Sequence, residues 1–308
     1  DLKPGEKVLI MSDQNSRKIG EAIAQAARRT TSLVTHCVIP GFTMHGQEPP
    51  KDVADEMVES AVVFGVTKMS MAHSQARFRA SQAGMRYLSL PDYSIDVLAS
   101  PALRADFRAL TSFSNRLADL LTAGHEVTLR TELGTDLTCN ITGRTANAAP
   151  GWCCGPGTLA SPPDAETNIA IVEDSSNGTI VVDGSIPCPE LGLLQAPLRL
   201  TVEKGRVVQV EGRLADVLNH VFDCLGNPAT RVIAEFGIGL NPMAKLRGFM
   251  LEDEGCLGTA HLGIGSNPTI GGKNDVPFHL DHIVRYVTVD IDGYTIIENG
   301  QFIKEITK

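Results

Sequence analysis

The sequence predicts an α/β amino-terminal domain followed by a mainly β (α+β) domain that carries a metal site. Three observations predict it. Strand-like apolar runs alternate with amphipathic helical segments over the first third of the chain, the rhythm of βαβ units around a parallel sheet. Near Ala123-Gly124 the long helices stop and hairpin patterns begin. Between Glu235 and Asp281, glycines and prolines crowd around side chains of the types that bind divalent metals.

In chain order, residues 7–11 (KVLIM) read as a buried strand and residues 16–29 as an Ala-rich amphipathic helix. Strands follow at 32–39, 61–66 and 87–90, separated by helices at 52–60 and 74–83, and a long helix spans 102–121. The order is Rossmann-like. The turn after the first strand is MSDQNS, however, with no G-x-G-x-x-G and no Walker pattern, so no dinucleotide role is expected. From His125 the signals are hairpins: EVTLRTELGTDLTCNITG around Gly134, the strand TIVVDGSI, and LRLTVEKGRVVQVEG around Lys204-Gly205. One helix, 214–224, interrupts them. The boundary is therefore placed at 124, giving an α/β domain over 1–124 and a metal-binding domain over 125–308. Residues 149–173 form an irregular loop rich in Gly, Pro and Cys that holds Asp164 and Glu166. Taken alone it reads as a solvated acidic loop.

Composition narrows the partners. The chain has 308 residues, 43% of them hydrophobic and 20% charged, and no apolar run approaches a membrane span. A net charge of −9 argues against a nucleic-acid partner, whose footprint is a basic face. Seven cysteines without C-x-x-C spacing point to a reduced, cytoplasmic setting. The adjacent Cys153-Cys154 does not suit a bridge, because vicinal pairing demands unusual backbone geometry.

The sharpest local motif is His279-Leu280-Asp281. The run FHLDHIVRYVTVDI reads as a strand, on which His279 and Asp281 share a face and Leu280 takes the other. A buried His bonded to an ordinary carboxylate is the competing reading of that pair. Of the remaining histidines, His220 fits a helix surface. His73 falls after the third strand, where a helix-start role competes with ligand binding.

The succession of Glu166, NGTIVVDGSI, a hairpin, AEFGIGLNP, EDEG, GTAHLGIG, GGKN and HLD resembles the aminopeptidase T and aminopeptidase S family of metallopeptidases. The resemblance covers residues 166–300 and, less specifically, the first domain. It implies a two-metal site whose six ligands fall on Glu166, Glu235, Glu254, His261, His279 and Asp281. It also implies a homodimer. Two features depart from that family: no tyrosine stands between His261 and Tyr286, and the linker from His261 to His279 is short. A related branch, the dihydroxypyridine dioxygenases, resembles the same fold with a single iron. That branch keeps the closing H-x-D and places a histidine where this chain has Glu235.

Four carboxylates and two imidazoles exceed what one catalytic zinc takes. They suit two adjacent divalent ions, zinc, cobalt or manganese, that activate a bridging water for amide hydrolysis. Glu235 is the expected proton shuttle, with Glu166 and Glu254 as alternatives. The expected function is thus a metal-dependent aminopeptidase-like hydrolase acting on a small amide or short peptide. The alternative is a ring-cleaving dioxygenase using Fe(II).

Overall fold

The computed structural model describes residues 2–153 and 155–307. The contacts divide the chain into two compact units. One comprises the residues up to Leu103 together with Gly151–Pro162, and the other Arg104–Pro150 with Pro163–Lys308. The expected boundary at 124 coincides with the end of the helix Phe107–Ala123, which groups by contacts with the second unit.

In the first unit, five parallel strands run in the order Val34–Val38, Val8–Ser12, Val62–Val66, Arg86–Ser89 and Leu159–Ala160. All five residues of Val8–Ser12 are buried, as a central parallel strand covered on both faces requires. The helices Arg17–Ala27, Lys51–Glu59 and Gln75–Gln82 supply the crossovers. The turn after the first strand is organised by Asp13, whose Oδ1 accepts from the amides of Asn15 and Ser16, both at 2.9 Å. His73 directly precedes Ser74, whose hydroxyl caps the Gln75–Gln82 helix by accepting from the Arg77 amide.

The second unit holds two large antiparallel sheets and a two-stranded one, Ser185–Ile186 with Gly192–Leu193. The eight-stranded one runs Arg206–Glu211, Leu198–Glu203, Asn177–Val182, Asp136–Asn140, Glu126–Arg130, Thr288–Ile291, Tyr294–Glu298, Gln301–Phe302. The five-stranded one runs His279–Arg285, Thr259–Gly265, Ile233–Gly239, Glu166–Ala170, Asn147–Ala149. Their apolar faces, with the helices Phe107–Ala123 and Ala215–Asp223, form one core that includes Leu129, Ile180, Leu218, Phe222, Phe236 and Leu262.

The run FHLDHIVRYVTVDI, expected to be one strand, is two. His279–Arg285 belongs to the five-stranded sheet and Thr288–Ile291 to the eight-stranded one. The break falls at Tyr286, whose φ of 52° is incompatible with continuing an extended strand. The chain thus changes sheets immediately after the H-x-D motif. Among the described residues no helix is long and apolar enough to cross a membrane. The six described cysteines are free thiols, and Cys154 lies outside the described residues.

Candidate metal centre

The five-stranded sheet has two chemically distinct faces, and both can be read from strand parity. In Ile233–Gly239 (IAEFGIG), Phe236 and Ile238 enter the core while Glu235, Gly237 and Gly239 take the opposite face. In Thr259–Gly265 (TAHLGIG), Ala260, Leu262 and Ile264 enter the core, and His261, Gly263 and Gly265 oppose them. Register then aligns the polar positions. Glu235 pairs with Gly263, which pairs with Asp281; His261 pairs with Gly237, His279 with Gly265, and Glu166 with Gly239.

Two of these glycines make room for the imidazoles. A Cβ on Gly237 would lie 2.1 Å from His261 Nε2, and one on Gly263 would lie 2.7 Å from His279 Cε1 and 2.8 Å from Glu235 Cβ. Each ring lies over a glycine because any larger residue would fill its place.

The six residues expected from sequence converge on this face. His261 Nε2 lies 3.0 Å from Glu166 Oε2 and 3.9 Å from Glu235 Oε1. His279 Nε2 lies 3.4 Å from Glu235 Oε2 and 3.2 Å from Asp281 Oδ1. Three groups of potential ligand atoms lie within 4.8 Å of one another: Glu166, Glu235 and His261; Glu235, His279 and Asp281; and Asp164, Glu166 and Glu254. Glu235 and Glu166 each belong to two groups, so the three form one continuous cluster.

Asp164 is the member that sequence reading left in a solvated loop. It is 7% exposed. Asn241 holds its segment in place: the Asn241 Nδ2 donates to the Pro163 carbonyl at 2.7 Å, and the Asn241 amide donates to the Gly255 carbonyl at 2.7 Å. One residue, through its side chain on one side and its backbone on the other, therefore fixes the approaches to both Asp164 and Glu254. Glu254 follows the short helix Met250–Asp253, which is anchored through Asp253. The Asp253 carboxylate accepts from Ser185 Oγ and from the amides of Arg247 and Gly248.

Other groups orient the ligands. Asn168 Nδ2 donates to Glu166 Oε1 at 2.6 Å, leaving Oε2 towards His261. That 3.0 Å approach, by His261 Nε2, is an ion-pair distance without hydrogen-bond alignment, which leaves Glu166 Oε2 buried without a hydrogen-bond partner; His261 Nδ1, the other ring nitrogen, is also buried without one. His279 Nδ1 lies 2.8 Å from the Ser266 carbonyl. As the carbonyl can only accept, Nδ1 donates, and the lone pair of Nε2 is left facing Glu235 and Asp281 in the neutral ring. His282 turns the other way, into the core, where it stacks on Phe222. His220 sits in the last turn of its helix, apart from these groups.

Electrostatically the centre is an excess of buried negative charge. Burial raises the pKa of Asp164, Glu235 and Glu254, and their carboxylate neighbours push in the same direction. Burial opposes charging of His261, but Glu166 and Glu235 outweigh it and raise its pKa well above the usual imidazole value. His279 is raised to about 10, because Asp281 and Glu235 outweigh desolvation; one third of its side chain is exposed, and solvent moderates this effect. Asp281 moves down despite its burial, held charged by His279 and His261. Without cations, the cluster must hold protons in their place. His279, 34% exposed while the other five expected ligands are at most 9% exposed, marks the open edge.

A family model describing NicX, 2,5-dihydroxypyridine 5,6-dioxygenase, matches residues 1–304. The 2,5-dihydroxypyridine 5,6-dioxygenase of Pseudomonas putida KT2440 is 26% identical over 318 residues, covering 96% of this chain and 90% of that protein. The solved structure of 2,5-dihydroxypyridine dioxygenase from Pseudomonas putida KT2440 superposes with a TM-score of 0.85 at 21% identity, covering 100% of this chain and 94% of that one. The wild-type AmpT of Thermus thermophilus superposes with a TM-score of 0.68 at 15% identity, covering 98% and 95%, a likeness of fold alone.

These matches overturn the expected hydrolase. The aminopeptidase and metallopeptidase reading rested on the donor residues of a sheet that the two branches have in common, and donor identity does not by itself fix a reaction. The absent tyrosine and the short His261–His279 linker are the two departures from that reading already present in the sequence. By the match over nearly its whole length, the chain belongs to the 2,5-dihydroxypyridine 5,6-dioxygenase family.

Proposed function

We propose that this chain is a ring-cleaving dioxygenase for a dihydroxylated pyridine, with Fe(II) held by His279, Asp281 and Glu235. The family match over residues 1–304 carries the reaction class. The donor set supports the metal: one imidazole and two carboxylates lie within 4.8 Å of one another at the exposed edge of the cluster, and such nitrogen and oxygen donors suit a divalent first-row ion. Non-haem Fe(II) held there would let electrons pass from the hydroxylated ring to dioxygen, with no net change in its own oxidation state.

Each residue has a definite task in this reading. Asp281 and Glu235 together balance the charge of a dication, whereas a triad of two histidines and one carboxylate leaves a net positive charge. Ser266 fixes the His279 ring through Nδ1, so that Nε2 is presented without a search over tautomers. Gly263 leaves the space into which both His279 and Glu235 fit. The buried His261 stands 3.9 Å behind Glu235 and limits its movement.

The test is anaerobic loading with Fe(II), followed by 2,5-dihydroxypyridine and oxygen. Oxygen consumption matched to loss of substrate is expected, with none when zinc replaces iron. Folded, iron-loaded protein that consumes no oxygen with this or related dihydroxypyridines would overturn the reading.

A further inference from the structure

We propose that Asn267, Glu173 and Arg144 are positioning residues for the iron group: they fix the loop over residues 266–278, and through the Ser266 carbonyl that loop sets the orientation of His279. The inference deepens the metal site proposed above, and rests on that reading only for the metal that His279 holds.

His279 needs a constraint from outside its own strand. It is the most exposed of the expected ligands, and its Nδ1 donates to the Ser266 carbonyl at 2.8 Å. Ser266 opens the run SNPTIGGKNDVPF, whose regular structure is the single 3-10 turn Pro268–Ile270. A surface loop of that composition has little order of its own. Its order comes from Asn267, which is fully buried. The Asn267 Nδ2 donates to the Ala234 carbonyl at 2.9 Å, and Oδ1 accepts from the Asn274 amide at 2.9 Å. The Asn267 carbonyl accepts from the Gly272 amide at 2.8 Å, and its amide donates to the Asn274 carbonyl at 3.1 Å. One residue thus draws the far limb of the loop back onto its start. Gly272 must lack a side chain for this, since a Cβ there would fall 2.0 Å from Asn267 Cγ. Ala234 immediately precedes Glu235, and Ser266 immediately precedes Asn267. A single buried amide side chain therefore ties the backbone beside Glu235 to the carbonyl that orients His279.

A second anchor reaches the loop from outside. Glu173 Oε1 accepts from the Lys273 amide at 2.5 Å, and Arg144 donates to the Gly271 carbonyl at 2.5 Å while pairing with Glu173 Oε2 at 2.7 Å. Both side chains are largely buried. Burial pushes the Glu173 carboxyl up, but the amides it accepts from and Arg144 outweigh that and hold it below the usual carboxylate value, so the anchor stays charged. Neither residue belongs to the groups of potential ligands; each acts on the site through the backbone of residues 271–273, Asn267 and Ser266. Both ends of the anchored loop meet at His279. Ser266 bonds its ring, Phe278 precedes it in the chain, and the Ser266 amide donates to the Phe278 carbonyl at 2.7 Å.

Titration of the metal-free full chain with Co(II), read by visible absorption, reports affinity and ligand geometry without turnover. Asn267→Ala and Glu173→Ala should each weaken Co(II) binding by about 10–100-fold and alter the absorption bands. Glu173→Gln, which keeps an acceptor for the Lys273 amide, should bind more nearly as wild type. Leu262→Ala is the control: it lowers stability from the core face of the same sheet and should keep the wild-type Co(II) affinity and spectrum. Near-ultraviolet circular dichroism confirms folding, and Glu173→Ala, on the outer anchor, carries the test if Asn267→Ala fails to fold. Folded Asn267→Ala or Glu173→Ala protein with wild-type affinity and spectrum would overturn the proposal. So would a Leu262→Ala variant that loses them to the same extent, because the loss would then follow stability and not the loop. Oxygen uptake with Fe(II) is scored separately. Weakened Co(II) binding in the variants, with no uptake in wild type, sinks only the dioxygenase reading; uptake in wild type, with undisturbed Co(II) binding in the variants, sinks only the positioning role. A wild-type chain that binds no Co(II) and takes up no oxygen sinks both.

Discussion

Gly263→Ala is the most direct test of how the sheet builds the iron group. The new methyl would lie 2.7 Å from His279 Cε1, 2.9 Å from His279 Nε2 and 2.8 Å from Glu235 Cβ. Carbon contacts are comfortable at about 3.5–4.0 Å, so roughly 1 Å must be found on both sides. Glu235 cannot yield, being 7% exposed and flanked by His261 at 3.9 Å. His279 can, because a third of its side chain faces solvent. The expected response is that the imidazole swings outward and leaves the group, breaking the Ser266 contact that orients it. The fold should lose little, at the low end of the about 1–3 kcal/mol typical of overpacking, or a few degrees in Tm. Iron affinity should fall by more than the about 10–100-fold that loss of a merely orienting group costs. Iron content after dialysis, oxygen uptake and the thermal midpoint, measured on one preparation, check this. A Gly263→Ala variant with wild-type iron content and turnover would show that the crowding around His279 does not set the site.

Three further outcomes are expected. Leu262→Ala, on the opposite face of the same strand and fully buried, should cost about 2–5 kcal/mol of stability while the folded variant keeps its metal content, as denaturant unfolding and elemental analysis will read. Asp281→Asn keeps shape but removes the charge that His279 pairs with, so metal affinity should drop at least about 100-fold; undiminished binding in a metal titration would remove Asp281 from the ligand set. In the metal-free protein the pKa of His279 is raised from 6.5 to about 10, so its contribution to stability is complete below pH 6.5 and lost as pH rises through about 10. The metal-free chain should therefore weaken over that window, and metal binding should release protons and tighten with pH, which calorimetry in buffers of different ionisation enthalpy will measure.

The face of the sheet that carries the centre was legible because strand parity is written into AEFGIG and TAHLGIG. Apolar residues alternate with an acid or a histidine and then with glycines, and the glycines proved to be the spaces under the rings. Asp164 was not legible. Its loop has no periodicity, and its burial depends on the Asn241–Pro163 bond between residues 78 positions apart. The second half of FHLDHIVRYVTVDI misled for a local reason: nothing in its β-branched composition signals the left-handed backbone at Tyr286. The reaction was not legible from the ligands either. Hydrolysis and oxygenation can use the same donor types, and the whole-chain family match, not the donor set, separates them.

The donors of the cluster differ in how far solvent reaches them. Asp164, Glu166, Glu235, Glu254, His261 and Asp281 are all at most 9% exposed, and exposure rises in one step at His279, to 34% of its side chain. Only the His279 end is open to solvent, so in the proposed reading a metal held by His279, Asp281 and Glu235 is the one that faces it. At the other end, among the described residues, no Lys or Arg pairs with the Asp164, Glu166 or Glu254 carboxylates and His261 is the one ion-pair partner, so their charge acts on the His279 group through its field. In a low-dielectric interior that field is strong: unit charges about 4 Å apart interact by about 4 kcal/mol even at an effective dielectric of 20. Whether Asp164, Glu166 and Glu254 carry protons therefore changes how strongly Glu235 and Asp281 would bind a metal. Glu235 is where the two influences meet, belonging at once to the His261 group and to the His279 group. A histidine at that position would cut the link, since a neutral ring contributes no charge to be shared. Glutamate at that position couples the Asp164 and Glu166 end of the cluster electrostatically to the open His279 end.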